Sequence, residues 1–158
     1  MAEYKIVFRI LLVAYIFTLV YFGLRDYDEL QSENDMNESN KFELDDAVIQ
    51  KIQKAFQTEV IENKIYLNKD ISLQLLAQTL NTNTKYLSKF INREYNMSFI
   101  HLINSLRVEE AKTILMDPTN KKYTIESIGA MSGFNSKSSF NATFKKIVSM
   151  TPSEYRES

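Results

Sequence analysis

The sequence predicts an all-α chain: an N-terminal transmembrane helix, a flexible acidic linker, an amphipathic helix, and a C-terminal domain of paired helices. Three observations predict it. Three glycines and two prolines in 158 residues leave helices few interruptions and speak against a many-stranded fold. Apolar residues recur at helix period through the C-terminal two-thirds. Finally, one pattern is written twice. Leu76-Ala77 answers to Ile128-Gly129, and Asn83 to Asn135, at a spacing of 52. One residue is then inserted: Leu87 answers to Phe140, Ile91 to Phe144, and Met97-Ser98 to Met150-Thr151, at a spacing of 53.

The first element is apolar. Ile6 to Leu24 is interrupted only by Arg9, and a helix of that length spans roughly 28 Å, close to the hydrocarbon thickness of a bilayer. Tyr4, Tyr21 and Tyr27 fall where aromatic belts form. No small-x-small cleavage signal follows the apolar run, which argues against a secretory signal peptide. A transmembrane helix is expected over 5–25. Residues 26–43 then form an acidic linker too polar to bury a core. Over 44–62, Leu44, Val48, Ile52, Phe56 and Val60 recur every fourth residue, with Ala47, Ile49 and Ala55 beside them, so an amphipathic helix packs there.

In the first repeat, Ser72 is expected to cap a helix whose inner face is Leu73, Leu76, Ala77 and Leu80. Asn81 tolerates the left-handed backbone of a tight turn. Asn83 caps the next helix, in which Leu87, Phe90 and Ile91 point inward and Lys85, Ser88, Lys89, Asn92 and Arg93 are left outside. In the second repeat, Thr124 caps the first helix, Ile125 and Ile128 point inward, and Gly133 makes the turn. Asn135 is expected to cap the second helix, with Phe140, Phe144 and Ile147 inward. Its outer face holds Ser136, Lys137, Ser138, Asn141, Lys145 and Lys146. Between the copies, Phe99 to Met116 reads as one long helix stopped by Asp117-Pro118.

Each copy is a helix–turn–helix, and small donors and cations on the second helix suit base edges and phosphates in a DNA major groove. A basic face alone fits any solvated helix. The duplication is what points to two grooves read by one polypeptide. The net charge of −1 conceals an asymmetry: 8 basic and 12 acidic residues up to Lys69, against 11 and 8 from Asp70 onward. Without cysteine there is neither a disulfide nor a thiolate metal site, and one histidine, His101, makes no ligand cluster. His101 is read as a surface or cap residue of the long helix. No nucleophile–base pair, metal spacing or glycine-rich phosphate loop is present, so neither an enzyme nor a cofactor is expected.

These stretches carry a family resemblance. Leu73-Gln74-Leu75-Leu76-Ala77, Lys85-Tyr86-Leu87-Ser88-Lys89, Leu106-Arg107-Val108-Glu109-Glu110-Ala111 and Gly133-Phe134-Asn135-Ser136-Lys137-Ser138-Ser139-Phe140 stand in order, followed by Phe144-Lys145-Lys146 and Met150-Thr151-Pro152-Ser153-Glu154-Tyr155. The region 65–157 resembles the DNA-binding domain of AraC/XylS-family transcription regulators. The resemblance implies a seven-helix domain of two helix-turn-helix units on a linker helix, here preceded by the amphipathic helix. Thr82 to Lys89 is further similar to membrane-bound members, in which a periplasmic sensor of helical repeats precedes a transmembrane helix and this domain.

Carried over by that resemblance, Lys85, Ser88 and Lys89, then Lys137, Ser138 and Asn141, would face base edges. Arg107 matches a recurring family arginine and would bridge linker helix and helix-turn-helix units. Ala142 departs from the pattern, since many relatives have arginine there, so the first unit is expected to specify more and the second to anchor more. The expected partners are double-stranded DNA and the inner membrane through residues 6–24, with RNA polymerase, a separate sensor protein or a second copy as further candidates. The expected location is the inner membrane, single-pass, with the DNA-binding domain in the cytoplasm. Lys5 and Arg9 before the apolar helix, against Arg25 after it, lean the other way by the positive-inside rule. With five residues ahead of Ile6, the chain reads as a short variant, a fragment of a longer regulator, or the partner of a separate sensor. The rival functions are a membrane-anchored helical protein-interaction module and a non-functional fragment of a longer sensor-regulator.

Overall fold

A computed structural model describes residues 46–158. The transmembrane helix expected over 5–25 and the acidic linker over 26–43 lie outside the described residues. Among the described residues, no helix is long and apolar enough to cross a membrane. Seven α-helices and no strand are found among them: α1 (Asp46–Phe56), α2 (Leu73–Thr79), α3 (Thr84–Tyr95), α4 (Phe99–Met116), α5 (Ile125–Met131), α6 (Lys137–Val148) and α7 (Pro152–Glu157). The amphipathic helix is thus the first of the seven rather than an addition ahead of them.

Of the stripe expected over 44–62, residues 44 and 45 lie outside the described residues, and the rest divides. An α-helix ends at Phe56, and Gln57–Glu62 continues as a wider π-helical turn closed by the Asn63 N–H donating to Thr58 O at 2.9 Å. Val60, four residues after Phe56, stays fully buried through that wider turn. Phe56 packs its ring on Phe90 and Tyr95 at 5.4 and 5.5 Å, so α1 closes the first helix-turn-helix unit from behind. Lys64 then takes a left-handed conformation (φ 51°), and a short 3-10 turn, Ile65–Leu67, leads toward α2.

Two apolar cores form. The first gathers Ile49, Ile52, Phe56, Val60, Leu76, Leu87, Phe90 and Ile91; the second gathers Ile128, Phe134, Phe140 and Phe144. Helix α4 belongs to both. Its N-terminal half gives Leu102 and Ile103 to the first core, and its C-terminal half gives Val108, Ala111 and Leu115 to the second. Burying such a side chain contributes about 1.5–3 kcal/mol, so α4 is held by packing at both ends. Asp117 ends it and accepts from the Thr119 N–H at 2.9 Å, which opens the 3-10 turn Pro118–Asn120 ahead of α5. His101 is exposed in the first turn of α4, its Nδ1 3.2 Å from the Ser98 cap hydroxyl.

The duplication is visible in the backbone. Asn81 (φ 53°) and Gly133 (φ 88°) make the two tight turns in the left-handed region. Thr82 N–H donates to Ala77 O at 2.9 Å, and Phe134 N–H to Gly129 O at 3.0 Å. After these residues the register changes. The cap of α3 is Asn83, but the cap of α6 is Ser136, whose Oγ accepts from the Ser139 N–H at 3.2 Å. This corrects the expected equivalence of Asn83 and Asn135. Asn135 is the inserted residue, and it caps nothing. Ile147 is corrected as well: it is 43 % exposed, and Val148, four residues after Phe144, packs on the second core in its place.

Candidate nucleic-acid interface

The two candidate reading helices are equal in length, 12 residues each. Helix α3 starts where Asn83 Oδ1 accepts from the Tyr86 N–H at 2.8 Å, and it ends at Asn96 in the left-handed region. Leu87, Phe90 and Ile91 are essentially inaccessible, which fixes the opposite face toward solvent. Lys85 and Arg93 are exposed on it, and Ser88, Lys89 and Asn92 are half-buried. Helix α6 is oriented likewise by Phe140 and Phe144. Ser136, Lys137, Ser138, Lys145 and Lys146 are exposed there, and Asn141 is half-buried. None of the eleven residues singled out from sequence is buried.

They are not equivalent in what they have free to offer. Arg93 is turned toward carboxylates, 3.9 Å from Asp46 on α1 and 3.5 Å from Glu94. Exposed pairs of this kind contribute little to stability, but they place the guanidinium on the flank beside α1. Ser136 is spent on the helix start and lies 3.1 Å from Ser138 Oγ, so its first role is structural. Lys145 lies near enough to Glu154 to help hold that carboxyl below its ordinary range, after the larger effect of hydrogen bonds from Thr151. Lys89 and Lys137 carry no ion pair among the described residues. Asn92 Nδ2 and Asn141 Oδ1 are withdrawn from solvent without a hydrogen-bond partner. Such a group gains from any partner that reaches it. Among the described residues, no group of acidic, histidine or cysteine side chains could hold a metal ion.

Behind the two faces lies a junction that sequence reasoning only half found. Arg107 sits on α4 where the two cores meet, and it is buried. Its Nε donates to Tyr66 O at 2.7 Å and its Nη2 to Asn68 O at 2.8 Å. Its guanidinium carbon stands 5.9 Å from the centre of the Phe134 ring. Burial pulls its pKa below the ordinary arginine value, and two carbonyl dipoles and an aromatic face stand where a carboxylate would usually be. The bridging role expected of Arg107 is therefore seen in atomic contacts. Its partners at 66–69 were missed: backbone carbonyls leave no mark in side-chain pattern. One signal was available, the extra residue Asn135, whose Nδ2 donates to Lys69 O at 3.3 Å. Alongside, Lys64 and Tyr66 both reach Glu110 on α4, at 2.8 and 3.3 Å. Burial first, and Glu110 second, push the Tyr66 hydroxyl up to about 12.

Comparison with known proteins places these elements in a family. A family model described as a helix-turn-helix domain matches residues 76–158. An uncharacterised helix-turn-helix-type transcriptional regulator of Staphylococcus aureus (strain COL) is 33% identical over 93 residues, 59% of this chain and 12% of that protein. The chain thus spans about an eighth of the length of that relative. Among solved structures, the C-terminal domain of AraT, a response regulator from Geobacillus stearothermophilus, superposes with a TM-score of 0.58 at 30% identity, over 68% of this chain and 84% of that one. The DNA-binding domain of the global transcriptional factor AdpA, solved in complex with a target DNA, shares the fold at 16% identity, with a TM-score of 0.56 over 63% of this chain and 88% of that one.

Proposed function

Since the chain belongs to the AraC/XylS family of helix-turn-helix DNA-binding transcription regulators, we propose that it reads a specific duplex sequence by laying α3 and α6 in adjacent major grooves. The observation that carries this reading is the matched pair of capped 12-residue helices, each with an exposed lysine in its first turn, Lys85 and Lys137, and its apolar face fixed in a core. Lys85, Ser88 and Lys89 on α3, and Lys137, Ser138 and Asn141 on α6, face base edges. Arg93, Lys145 and Lys146 meet phosphates. Ala142, exposed on α6, offers no hydrogen bond where an arginine would grip a guanine, a loss of about 1–3 kcal/mol of discrimination. The second unit therefore anchors more than it specifies.

Selection from random duplexes by the full chain tests the reading. With the six cations Lys85, Lys89, Arg93, Lys137, Lys145 and Lys146 neutralising phosphates or touching bases, affinity falls with salt at a log–log slope near −5. A slope near zero, or no duplex retained, refutes it. Two rods in neighbouring grooves protect sites about one helical turn, ~34 Å, apart. Protection of one short half-site alone contradicts that arrangement.

Tethering to the inner membrane through residues 6–24 is part of the same proposal, supported by the length and apolarity of that stretch. A reporter fused to the C-terminus reads the side: a cytoplasmic signal agrees with DNA reading, and a periplasmic one rules it out in the cell. A protein-interaction module is the rival. Protein interfaces are depleted in lysine and enriched in aromatic anchors, whereas the outer faces of α3 and α6 carry Lys85, Lys89, Lys137, Lys145 and Lys146 against one exposed aromatic, Tyr95 at the end of α3.

A further inference from the structure

We propose that Arg107 and Asn135 lock the second helix-turn-helix unit against the segment 66–69, and that this lock sets which half-site spacing the protein accepts. The spacing claim rests on the reading of DNA by both helices. The lock itself stands on geometry.

Each unit has its own core, and α4 is the element common to both. A single shared helix restrains bending along its axis but does little against one unit rolling about it. A second attachment away from the axis removes that freedom. The turn of the second unit supplies one. A Cβ at Gly133 would stand 2.9 Å from Arg107 Nε and 3.0 Å from both Cα and O of Leu67, so the turn presses directly on the backbone ahead of α2. Phe134 covers the Arg107 guanidinium from one side while Tyr66 O and Asn68 O take its N–H groups. Asn135 adds a bond to Lys69 O.

The attachment is polar and directional. Apolar packing tolerates sliding, whereas N–H groups aimed at fixed carbonyls accept one register. Asn135 also has no counterpart in the first repeat. The one residue by which the second turn exceeds the first is the one that reaches across to the other unit.

A rigid pair of reading helices has a consequence on DNA. Each base pair added between half-sites moves the far half-site by ~3.4 Å and turns it by ~34°. A locked protein cannot follow, and an unlocked one can.

The test uses the full chain, which contains no cysteine, so paired labels can be placed without background. Spin labels at Gln53→Cys on α1 and Ser153→Cys on α7, both exposed positions, report the distance between units. The parent should give a narrow distribution. Arg107→Lys, which keeps the charge but not both fixed N–H groups, and Asn135→Ala, which changes one exposed side chain, should each broaden it. On duplexes selected by the parent, inserting one base pair at the centre of the protected region should cost the parent about tenfold in affinity, the scale of a wrong base pair. The variants should lose several-fold less to the same insertion. If Arg107→Lys does not fold, as circular dichroism would show, Asn135→Ala carries the test alone. A parent that binds, with variants matching it in both distance width and insertion penalty, overturns this inference and leaves DNA reading intact. A parent that retains no duplex overturns the spacing claim together with the reading it rests on.

Discussion

Gly129 and Phe140 hold in the second unit the places that Ala77 and Leu87 hold in the first. The exchange is one of volume. A Cβ on Gly129 would lie 2.7 Å from Phe140 Cδ1 and 2.8 Å from Cγ. That ring cannot retreat, because Phe134 and Phe144 stand against it at 5.1 and 5.6 Å. Alanine gains about 1 kcal/mol in helix propensity over glycine, but overpacking a closed core costs about 1–3 kcal/mol. Gly129→Ala should therefore lower the urea midpoint, and adding Phe140→Leu should recover part of the loss. Strict additivity in the double-mutant cycle would show that the two do not share space. Tyr66 gives a second residue-scale prediction. Its hydroxyl, ordinarily at 10.0, is raised to about 12 by burial and by Glu110, so the fold favours the neutral phenol. Its contribution is whole below pH 10 and is lost as pH rises toward 12. Stability measured across that window should fall more steeply for the parent than for Tyr66→Phe; overlapping curves would deny the group any part in alkaline unfolding.

At the level of elements, most of the fold was legible because it is local. Phe99, Leu102, Ile103 and Leu106 recur on one face of α4 and Val108, Ala111 and Leu115 on another, and the structure buries or half-buries each of them, the first set in one core and the second in the other. Caps at Ser72, Asn83 and Thr124 fall where short side-chain acceptors precede apolar runs. Sequence alone starts α6 one residue early, at Asn135, because Asn135 and Ser136 are both good caps and local chemistry does not choose between them. Tertiary structure chooses: Phe134 is drawn into the core, and Asn135 is turned toward Lys69. Ser136→Ala should accordingly cost about 1 kcal/mol and speed amide exchange at Ser139. Asn135→Ala should leave that amide unchanged. The reverse pattern would restore Asn135 as the cap. Among the candidate contacts, exposure was legible, while the diversion of Arg93 to Asp46 and Glu94 was not, because that pairing depends on where α1 comes to lie.

For the molecule as a whole, sequence patterns identify the two units better than their relation. The bonds that relate them join Arg107 to residues 39 and 41 positions away, and Asn135 to one 66 positions away. Their acceptors are main-chain oxygens, which every residue possesses. The charge asymmetry had a similar limit: an excess of cations after Asp70 says that a polyanion is welcome, but only the folded arrangement separates Lys89 and Lys137, which have no ion pair among the described residues, from Arg93, which does. The helix shared by both cores has one more implication. If the second unit came apart, Val108, Ala111 and Leu115 would be stripped to water; if the first did, Leu102 and Ile103 would be. Neither half can melt without wetting part of its neighbour's foundation, so the duplicated motif stands or falls together, and a gene encoding only one copy would have to invent a new floor for it.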